Sequence, residues 1–241
     1  MTFQIPMLMK SAAVAMVLSA CGTVATQAQD QKHAAVVEGT RLLATNNPAN
    51  FPAAFKELSS AADSGNPWGQ YHVGEMLYEG MGVAQDKPRA AVYYRQAAEQ
   101  GNHWAQYKLG IMLLTGDGIA PKPAEAVALL EVSVSKGNTW ASYRLGEAYL
   151  QGEVIAENLT RAKFYLEKAA RQNNSWALLR LGEMYRDGRG VAVSLADAEA
   201  LFEQAAIQKN GIAMMALATM IEAKDANRAK VLRAKAASLG E

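Results

Sequence analysis

The sequence has a single cysteine among its 241 residues, so no disulfide bond within the chain can stabilise the fold. An excess of either charge is also missing, because 24 Lys and Arg residues are balanced by 23 Asp and Glu residues. Neutralising nucleic-acid phosphates requires clustered basic residues, so nucleic acid is not an expected partner. Half of the residues are hydrophobic, and the chain can therefore bury a core by packing alone.

Chemistry-bearing side chains are scarce as well. His33, His72 and His103 are the only histidines, and none pairs with another at the spacing of metal ligands. We therefore expect neither a metal site nor a cofactor. Ser133 and Lys136 have the serine-x-x-lysine spacing of penicillin-recognising enzymes. No Ser-Asp-Asn or Lys-Thr-Gly motif accompanies this pair, so we predict that the chain is not an enzyme.

The N-terminus contains an apolar run at residues 11–20, preceded by Lys10. This run is too short to span a bilayer and is typical of a secretory signal peptide. It ends in Leu18-Ser19-Ala20-Cys21, which matches the lipobox of bacterial lipoproteins, where the cysteine becomes the lipidated first residue. We predict a lipoprotein signal peptide at residues 1–21, with palmitate among the lipids on Cys21. Cleavage as a free secreted protein and an unprocessed N-terminus are the alternatives.

The residues after Cys21 predict where the lipoprotein is sorted and how it is tethered. Gly22 takes the place where an Asp would act as a retention signal in enteric-type sorting, so we predict an outer-membrane lipoprotein that faces the periplasm. Residues 22–31 carry almost no large apolar side chains and are predicted to be a flexible, solvated tether.

Beyond residue 65, the four tryptophans recur every 36 residues, at Trp68, Trp104, Trp140 and Trp176. The same period separates Asn66, Asn102, Asn138, Asn174 and Asn210, and also Gly74, Gly110, Gly146 and Gly182. A fixed period between about 20 and 50 residues is typical of a solenoid or another repeat array. Function in such folds usually lies on an extended surface.

One repeat can be followed from residue 102 to residue 137. Asn102 is a strong N-cap, and the apolar residues after it, Ala105, Leu109 and Met112, have helical spacing. Glycines at 116 and 118 then break the helix, and Pro123 begins the next one. Each repeat is therefore predicted to be two helices joined by a glycine turn.

The repeat pattern predicts the domain boundaries. Four repeats cover residues 66–209, and a shortened C-terminal repeat covers residues 210–241, where Ile212 takes the tryptophan position. Residues 32–65 are predicted to form an N-terminal capping helix pair.

The segment 97–110, Ala-Ala-Glu-Gln-Gly-Asn-His-Trp-Ala-Gln-Tyr-Lys-Leu-Gly, resembles the Sel1-like repeat, as does Gly80-Met81-Gly82-Val83 before it. That family is related to the tetratricopeptide repeat. The resemblance implies an all-α, right-handed α-solenoid of helix-turn-helix repeats, and an adaptor or scaffold that binds partner proteins on its concave face. Cysteine-rich members staple each repeat with a disulfide, and the absence of such pairs sets this chain apart from that branch and from its penicillin-binding activity.

Together with the lipobox, the repeats resemble outer-membrane lipoproteins that include scaffolds of exopolysaccharide secretion. We predict a non-enzymatic cell-envelope scaffold or adaptor for protein-protein interactions, in an alginate-type secretion complex. Its expected partners are envelope proteins, the membrane through the lipid anchor, and an anionic polysaccharide. The alternatives are an enzyme that hydrolyses cell wall or β-lactams and a surface-exposed factor that engages a host protein.

A basic group recurs at one first-helix position, at His72, Lys108, Arg144 and Arg180. One interpretation is a solvated face with i,i+3 pairs to Glu75, Glu147 and Glu183. The other is a groove that binds an acidic partner, and in that case reversing Arg144 and Arg180 is expected to leave the fold nearly intact. Tyr78, Leu114 and Leu150, at another first-helix position, are the apolar candidates for the groove. The tryptophans are predicted to pack in the core or between repeats, with a stacking platform for sugars as the alternative.

Overall fold

The structure is a computed structural model that describes residues 33–239. The predicted signal peptide, the tether and the lipidation site Cys21 lie outside these residues. The described part contains helices and no strands. Its residue contacts divide it into two compact units, and the boundary between them lies between Asn102 and His103.

In the first unit, the N-terminal helix α1 spans residues 33–44. A short 3-10 helix, Pro48–Asn50, precedes α2 (Phe51–Asp63), and α3 (Pro67–Glu79) and α4 (Lys87–Glu99) follow. Helices α1 and α2 occupy the stretch predicted as a capping pair, and Gly39 of α1 lies against the Leu58 side chain of α2. Their role as a cap stays a prediction, as do the predicted domain boundaries.

The second unit contains four consecutive helix pairs. Their bounds are α5 (His103–Thr115), α6 (Pro123–Ser135), α7 (Thr139–Gln151), α8 (Leu159–Ala170), α9 (Ser175–Asp187), α10 (Leu195–Ile207), α11 (Gly211–Ile221) and α12 (Ala226–Ser238). Within each pair the two helices pack against each other, and the first helix α7 also contacts α5 and α9. The predicted all-α repeat fold is confirmed.

Local side-chain chemistry explains where the helices begin. The Asn138 and Asn174 side chains accept hydrogen bonds from the backbone N–H groups of Ala141 and Ala177, the third residues of α7 and α9. The second helices are less uniform: Ser194 accepts from the Asp197 N–H at the start of α10, Asn158 caps α8, and Lys122 before α6 makes no side-chain cap. Each side-chain cap satisfies an N–H group that has no partner inside the helix, so the 36-residue spacing of Asn138, Asn174 and Asn210 matches the spacing of the first helices α7, α9 and α11.

Close approach inside the pairs α7–α8 and α9–α10 depends on a glycine of the first helix. A Cβ atom placed on Gly146 would lie 2.7 Å from Cγ of Leu166, and one on Gly182 would lie 2.5 Å from a ring carbon of Phe202. Both facing side chains are fully buried. The missing Cβ therefore makes room for the large side chain of the second helix, and this exchange fills the core of the pair.

Candidate functional site

Three of the predicted groove residues lie in the second unit at one repeat position of consecutive first helices. Lys108 is on α5, Arg144 on α7 and Arg180 on α9, and we call the surface that carries them the first-helix face. The side chains of Arg144 and Arg180 are 35% and 31% exposed. Each is therefore within reach of a partner, although much of its stem is covered.

The carboxylate of Glu147 joins two of these repeats. Glu147 is buried and accepts hydrogen bonds from the Tyr143 hydroxyl at 2.8 Å, from Arg144 Nη1 at 2.9 Å and from Arg180 Nη2 at 3.1 Å. Arg180 also donates to Glu183 at 3.0 Å. Because a buried carboxylate needs such donors, the two arginines serve the internal packing of the unit as well as its surface.

The pKa values in this network follow from burial and charge. Burial, together with the hydrogen bond to Glu147, raises the pKa of Tyr143 to about 12, so its hydroxyl remains a donor at neutral pH. Burial opposes the charged form of Arg180, but its bonds to Glu183 and Glu147 outweigh this and raise its pKa overall. The two arginines and Glu147 form one connected set of charges across two repeats, and it includes two of the three predicted i,i+3 contacts.

This network changes the expectation for a double charge reversal. Glutamate in place of Arg180 would leave three carboxylates close together, because Glu147 and Glu183 lie within 3.1 Å of the guanidinium. Removing one partner of a buried ion pair is strongly destabilising. We therefore expect the double reversal to destabilise the second unit, which makes it a poor probe of binding.

In the first unit, His72 lies on α3, and its Nδ1 atom is 3.7 Å from the Glu75 carboxylate. The edge of its ring packs against Tyr71. Tyr78 is part-buried near the end of the same helix, with the Lys87 ammonium 5.1 Å from its ring centre.

Two apolar candidates of the second unit have little exposed surface. Leu114 and Leu150 are 6% and 5% exposed, and each lies in the last turn of its first helix. Arg189 of a later turn reaches over α7 and donates to the Leu150 carbonyl at 2.8 Å. The expectation that these leucines offer an open docking surface is therefore corrected, although Leu114 still contributes to the wall of a cavity.

The four tryptophans are covered unequally. Trp68 and Trp140 are 43% and 44% exposed, which is more than packing in the core predicts, although Trp140 does lie between repeats, beside Tyr107 of α5 and Trp176 of α9. Trp104 and Trp176 are part-buried, and Trp176 packs against the core of α9 to α12.

Two cavities adjoin Arg144 on the first-helix face. The first, of about 330 Å³, is mainly aromatic and is lined by Tyr107, Ile111, Trp140, Tyr143, Arg144 and Trp176. The second, of about 280 Å³, is more polar and includes Leu114, Glu147 and Gln151. We call the first one the aromatic pocket. Sequence reasoning missed it, although the 36-residue spacing of Tyr71, Tyr107 and Tyr143 was a signal for aromatic groups next to the basic position.

The structure also locates the serine-x-x-lysine pair. Ser133 is fully buried, and its hydroxyl donates to the His103 carbonyl at 2.7 Å. It therefore links α6 to the start of α5 and is not presented to a substrate. Among residues 33–239 no three His, Cys, Asp or Glu side chains come together as a metal site, and no helix in that range is long and apolar enough to cross a membrane.

Comparison with known proteins identifies the repeats. The Sel1 repeat matches residues 69–102, 105–138, 141–174 and 177–210. A Sel1 repeat protein of Oxalobacter formigenes is 25% identical with a TM-score of 0.77, over 86% of this chain and 83% of that one. No curated protein sequence matches.

Two further solved structures are similar. A protective antigen of uropathogenic Escherichia coli with an SLR fold is 26% identical with a TM-score of 0.79, and 91% of this chain is covered. The alignment covers 49% of the E. coli protein, so this chain spans about half of its length. An immunity protein of Pseudomonas aeruginosa, 18% identical with a TM-score of 0.53 over 87% of this chain and 80% of that one, shares the fold alone.

Sel1 repeats are typically non-catalytic scaffolds that mediate protein-protein interactions. The matched residues make up more than half of the chain, and their period is that of the helix pairs. The chain therefore belongs to the Sel1 repeat family.

Proposed function

We propose that this chain is a non-catalytic scaffold of the bacterial cell envelope that holds a partner protein on the first-helix face of its second unit. The observation that carries the proposal is the aromatic pocket beside a fixed charge network. Trp140 offers an accessible ring at the edge of this pocket, and Arg144 forms part of its wall. Tryptophan, tyrosine and arginine are the residue types that dominate binding energy at protein interfaces.

The charge network supports binding by holding the pocket in one geometry. Arg144 is fixed by Glu147, and Glu147 also holds the Tyr143 hydroxyl. Side chains that are already ordered lose less conformational entropy when a partner binds. A partner that inserts an apolar side chain beside Trp140 and places a carboxylate near Arg144 would match both features of the site.

The envelope location rests on the lipobox that ends at Cys21. Lipidation there would anchor the chain to the outer membrane and expose the repeats to the periplasm. An alginate-type exopolysaccharide secretion complex is the assembly proposed first, with its envelope proteins as partners and its anionic polymer as a further ligand. A second candidate is a surface-exposed factor that engages a host protein, which is favoured by the similarity to an antigen described as protective in uropathogenic E. coli.

A site-specific photo-cross-linker tests the binding face. Benzoylphenylalanine placed at Trp140 should give one discrete cross-linked product in intact cells. The matched control is the same group at Ile207, which is 77% exposed on α10 and lies outside the aromatic pocket. Equal products at both positions, or none at Trp140, would contradict the proposal.

A separate experiment tests the anchor. Cells fed a palmitate analogue should label the chain, and Cys21→Ser should remove the label and release the protein from the membrane fraction. Protease added to intact cells should leave a periplasm-facing scaffold uncut, whereas it should degrade a host-interaction factor on the surface. An unlabelled, soluble chain would overturn the envelope proposal and leave the test of the first-helix face unaffected.

A further inference from the structure

A tyrosine closes the cleft between the second helices α6 and α8. Tyr165 of α8 is 9% exposed, and its ring stacks on Tyr149 of α7 at 6.0 Å. Its hydroxyl donates to the Glu131 carboxylate of α6 at 2.8 Å. Arg161 completes the closure by donating to the Tyr149 hydroxyl at 2.7 Å.

The next cleft, between α8 and α10, has the same tyrosine and glutamate on its walls but lacks the tyrosine that fills the α6–α8 cleft. Tyr185 and Glu167 stand 36 residues after Tyr149 and Glu131, but Leu201 stands where the repeat would place the counterpart of Tyr165. Two other positions also carry smaller side chains in this repeat. Ala200 is the equivalent of Phe164, and Asp197 is the equivalent of Arg161.

These smaller side chains leave an open cavity of about 490 Å³ between α8 and α10. We call this cavity the α8–α10 cleft. Tyr185 and Glu167 line it, together with Leu201 and the buried floor residues Leu178 and Leu181. Its volume falls within the range of about 300–1,000 Å³ that is usual for ligand sites. The cleft therefore has a carboxylate acceptor, an aromatic ring and an apolar floor. It is empty at the place where the Tyr165 side chain fills the neighbouring α6–α8 cleft.

We propose that the α8–α10 cleft binds a tyrosine side chain of a partner polypeptide. The tyrosine ring would pack on Tyr185 and Leu201, and its hydroxyl would donate to Glu167, as Tyr165 does to Glu131 in the neighbouring cleft. This surface is distinct from the first-helix face, and the proposal does not depend on the function assigned to that face.

Charge at the edge of the cleft indicates what accompanies the tyrosine. The filled cleft has the cation Arg161 at this position, whereas the open cleft has the exposed anion Asp197. Lys163 and Arg171 both pair with Glu167 at 3.6 Å, but no residue in the described range forms an ion pair with the Asp197 side chain. A lysine or arginine next to the partner's tyrosine would restore the missing positive charge.

None of the tyrosines in this sequence is available to fill the cleft. All nine tyrosines of this chain lie within residues 33–239, so neither residues 1–32 nor residues 240–241 can supply one. None of the nine is exposed, and a second folded copy of the chain therefore has no tyrosine to insert. The occupant is a tyrosine-bearing segment of a different polypeptide, with a basic neighbour.

Titration of the isotope-labelled chain with the blocked peptide acetyl-Gly-Tyr-Lys-Gly-amide, followed by NMR, tests the proposal. Saturable shifts should concentrate in α8, α9 and α10. The phenylalanine analogue should bind about fivefold more weakly, the value of one hydrogen bond. Asp197→Asn should weaken the lysine peptide about twofold and leave its norleucine analogue unchanged.

Two reciprocal variants use the neighbouring cleft as the control. Leu201→Tyr should fill the α8–α10 cleft and abolish the shifts, and its thermal unfolding shows whether the fold is retained. If that variant does not fold, Ala200→Phe at an exposed position should obstruct the cleft and weaken the peptide at least fivefold. Tyr165→Leu should open the α6–α8 cleft and add a second set of shifts there. No saturable shift in the wild-type chain, or shifts that persist in a folded Leu201→Tyr variant, would overturn the proposal.

Discussion

The pairs α9–α10 and α11–α12 have the same capping chemistry but different cores. In α9–α10, Gly182 makes room for Phe202, which is fully buried. In α11–α12, Ala218 takes the glycine position, and Arg233 takes the helix position of the phenylalanine. Arg233 pairs with Glu222 at the surface. The exchange of a glycine and an aromatic residue therefore changes how large a side chain the second helix places in the core, because α12 contributes Ala229 where α10 contributes both Ala198 and Phe202.

The difference shows that repeat period and repeat packing are set by separate residues. Ser194 and Asp225 both accept a hydrogen bond from the third N–H of their helix, so both second helices begin in the same way. Only α10 then buries an aromatic side chain; the buried residues of α12 are Ala229 and Ala236. The following substitutions test this separation in order of decreasing expected effect.

The largest effect is expected for Phe202→Ala. This change removes a fully buried ring and leaves a cavity against Gly182, so it should lower the free energy of unfolding by about 3 to 5 kcal/mol. Urea denaturation followed by circular dichroism measures it. A loss below about 1 kcal/mol would mean that the glycine-phenylalanine contact does not hold the α9–α10 pair together.

A smaller loss is expected for Gly182→Ala. The new methyl group would lie 2.5 Å from a ring carbon of Phe202, and such overpacking costs about 1 to 3 kcal/mol. The matched control is Ala218→Gly in α11, which relieves no clash and costs about 1 to 2 kcal/mol, because the helix loses backbone entropy and the fully buried methyl group is removed. If alanine at position 182 stabilises the protein as a better helix former, the close approach is not tight in solution.

These differences show how far the sequence could be interpreted. The helices, their caps and the glycine breaks were predictable because each depends on residues a few positions apart. The Arg180–Glu147 bond and the burial of Leu150 were not, because both depend on how one repeat packs on the next. The aromatic pocket was missed for a related reason, since its walls come from three first helices and no single repeat contains it.

The capping residues should give nearly equal effects in the two pairs. Ser194→Ala and Asp225→Ala each remove one hydrogen bond to an N–H group of the first turn, and loss of such a cap typically costs about 1 kcal/mol. Thermal unfolding of the two variants side by side measures the comparison. A much larger loss for Ser194→Ala would show that the interior cap also supports the packing of Phe202.

The smallest effect is expected for Arg233→Ala in α12. The hydrogen bond to Glu222 raises the pKa of Arg233 and lowers that of Glu222, but both side chains are solvent-accessible, at 37% and 50%. An exposed ion pair contributes little because water and salt screen it and both side chains lose rotamer freedom. The urea midpoint should therefore match that of the wild-type chain within error, at low and at high salt. Glu222→Ala should behave in the same way, because neither residue leaves a buried charge behind. A clear, salt-sensitive loss in either variant would show that this pair performs for α11–α12 the structural role that Phe202 performs for α9–α10.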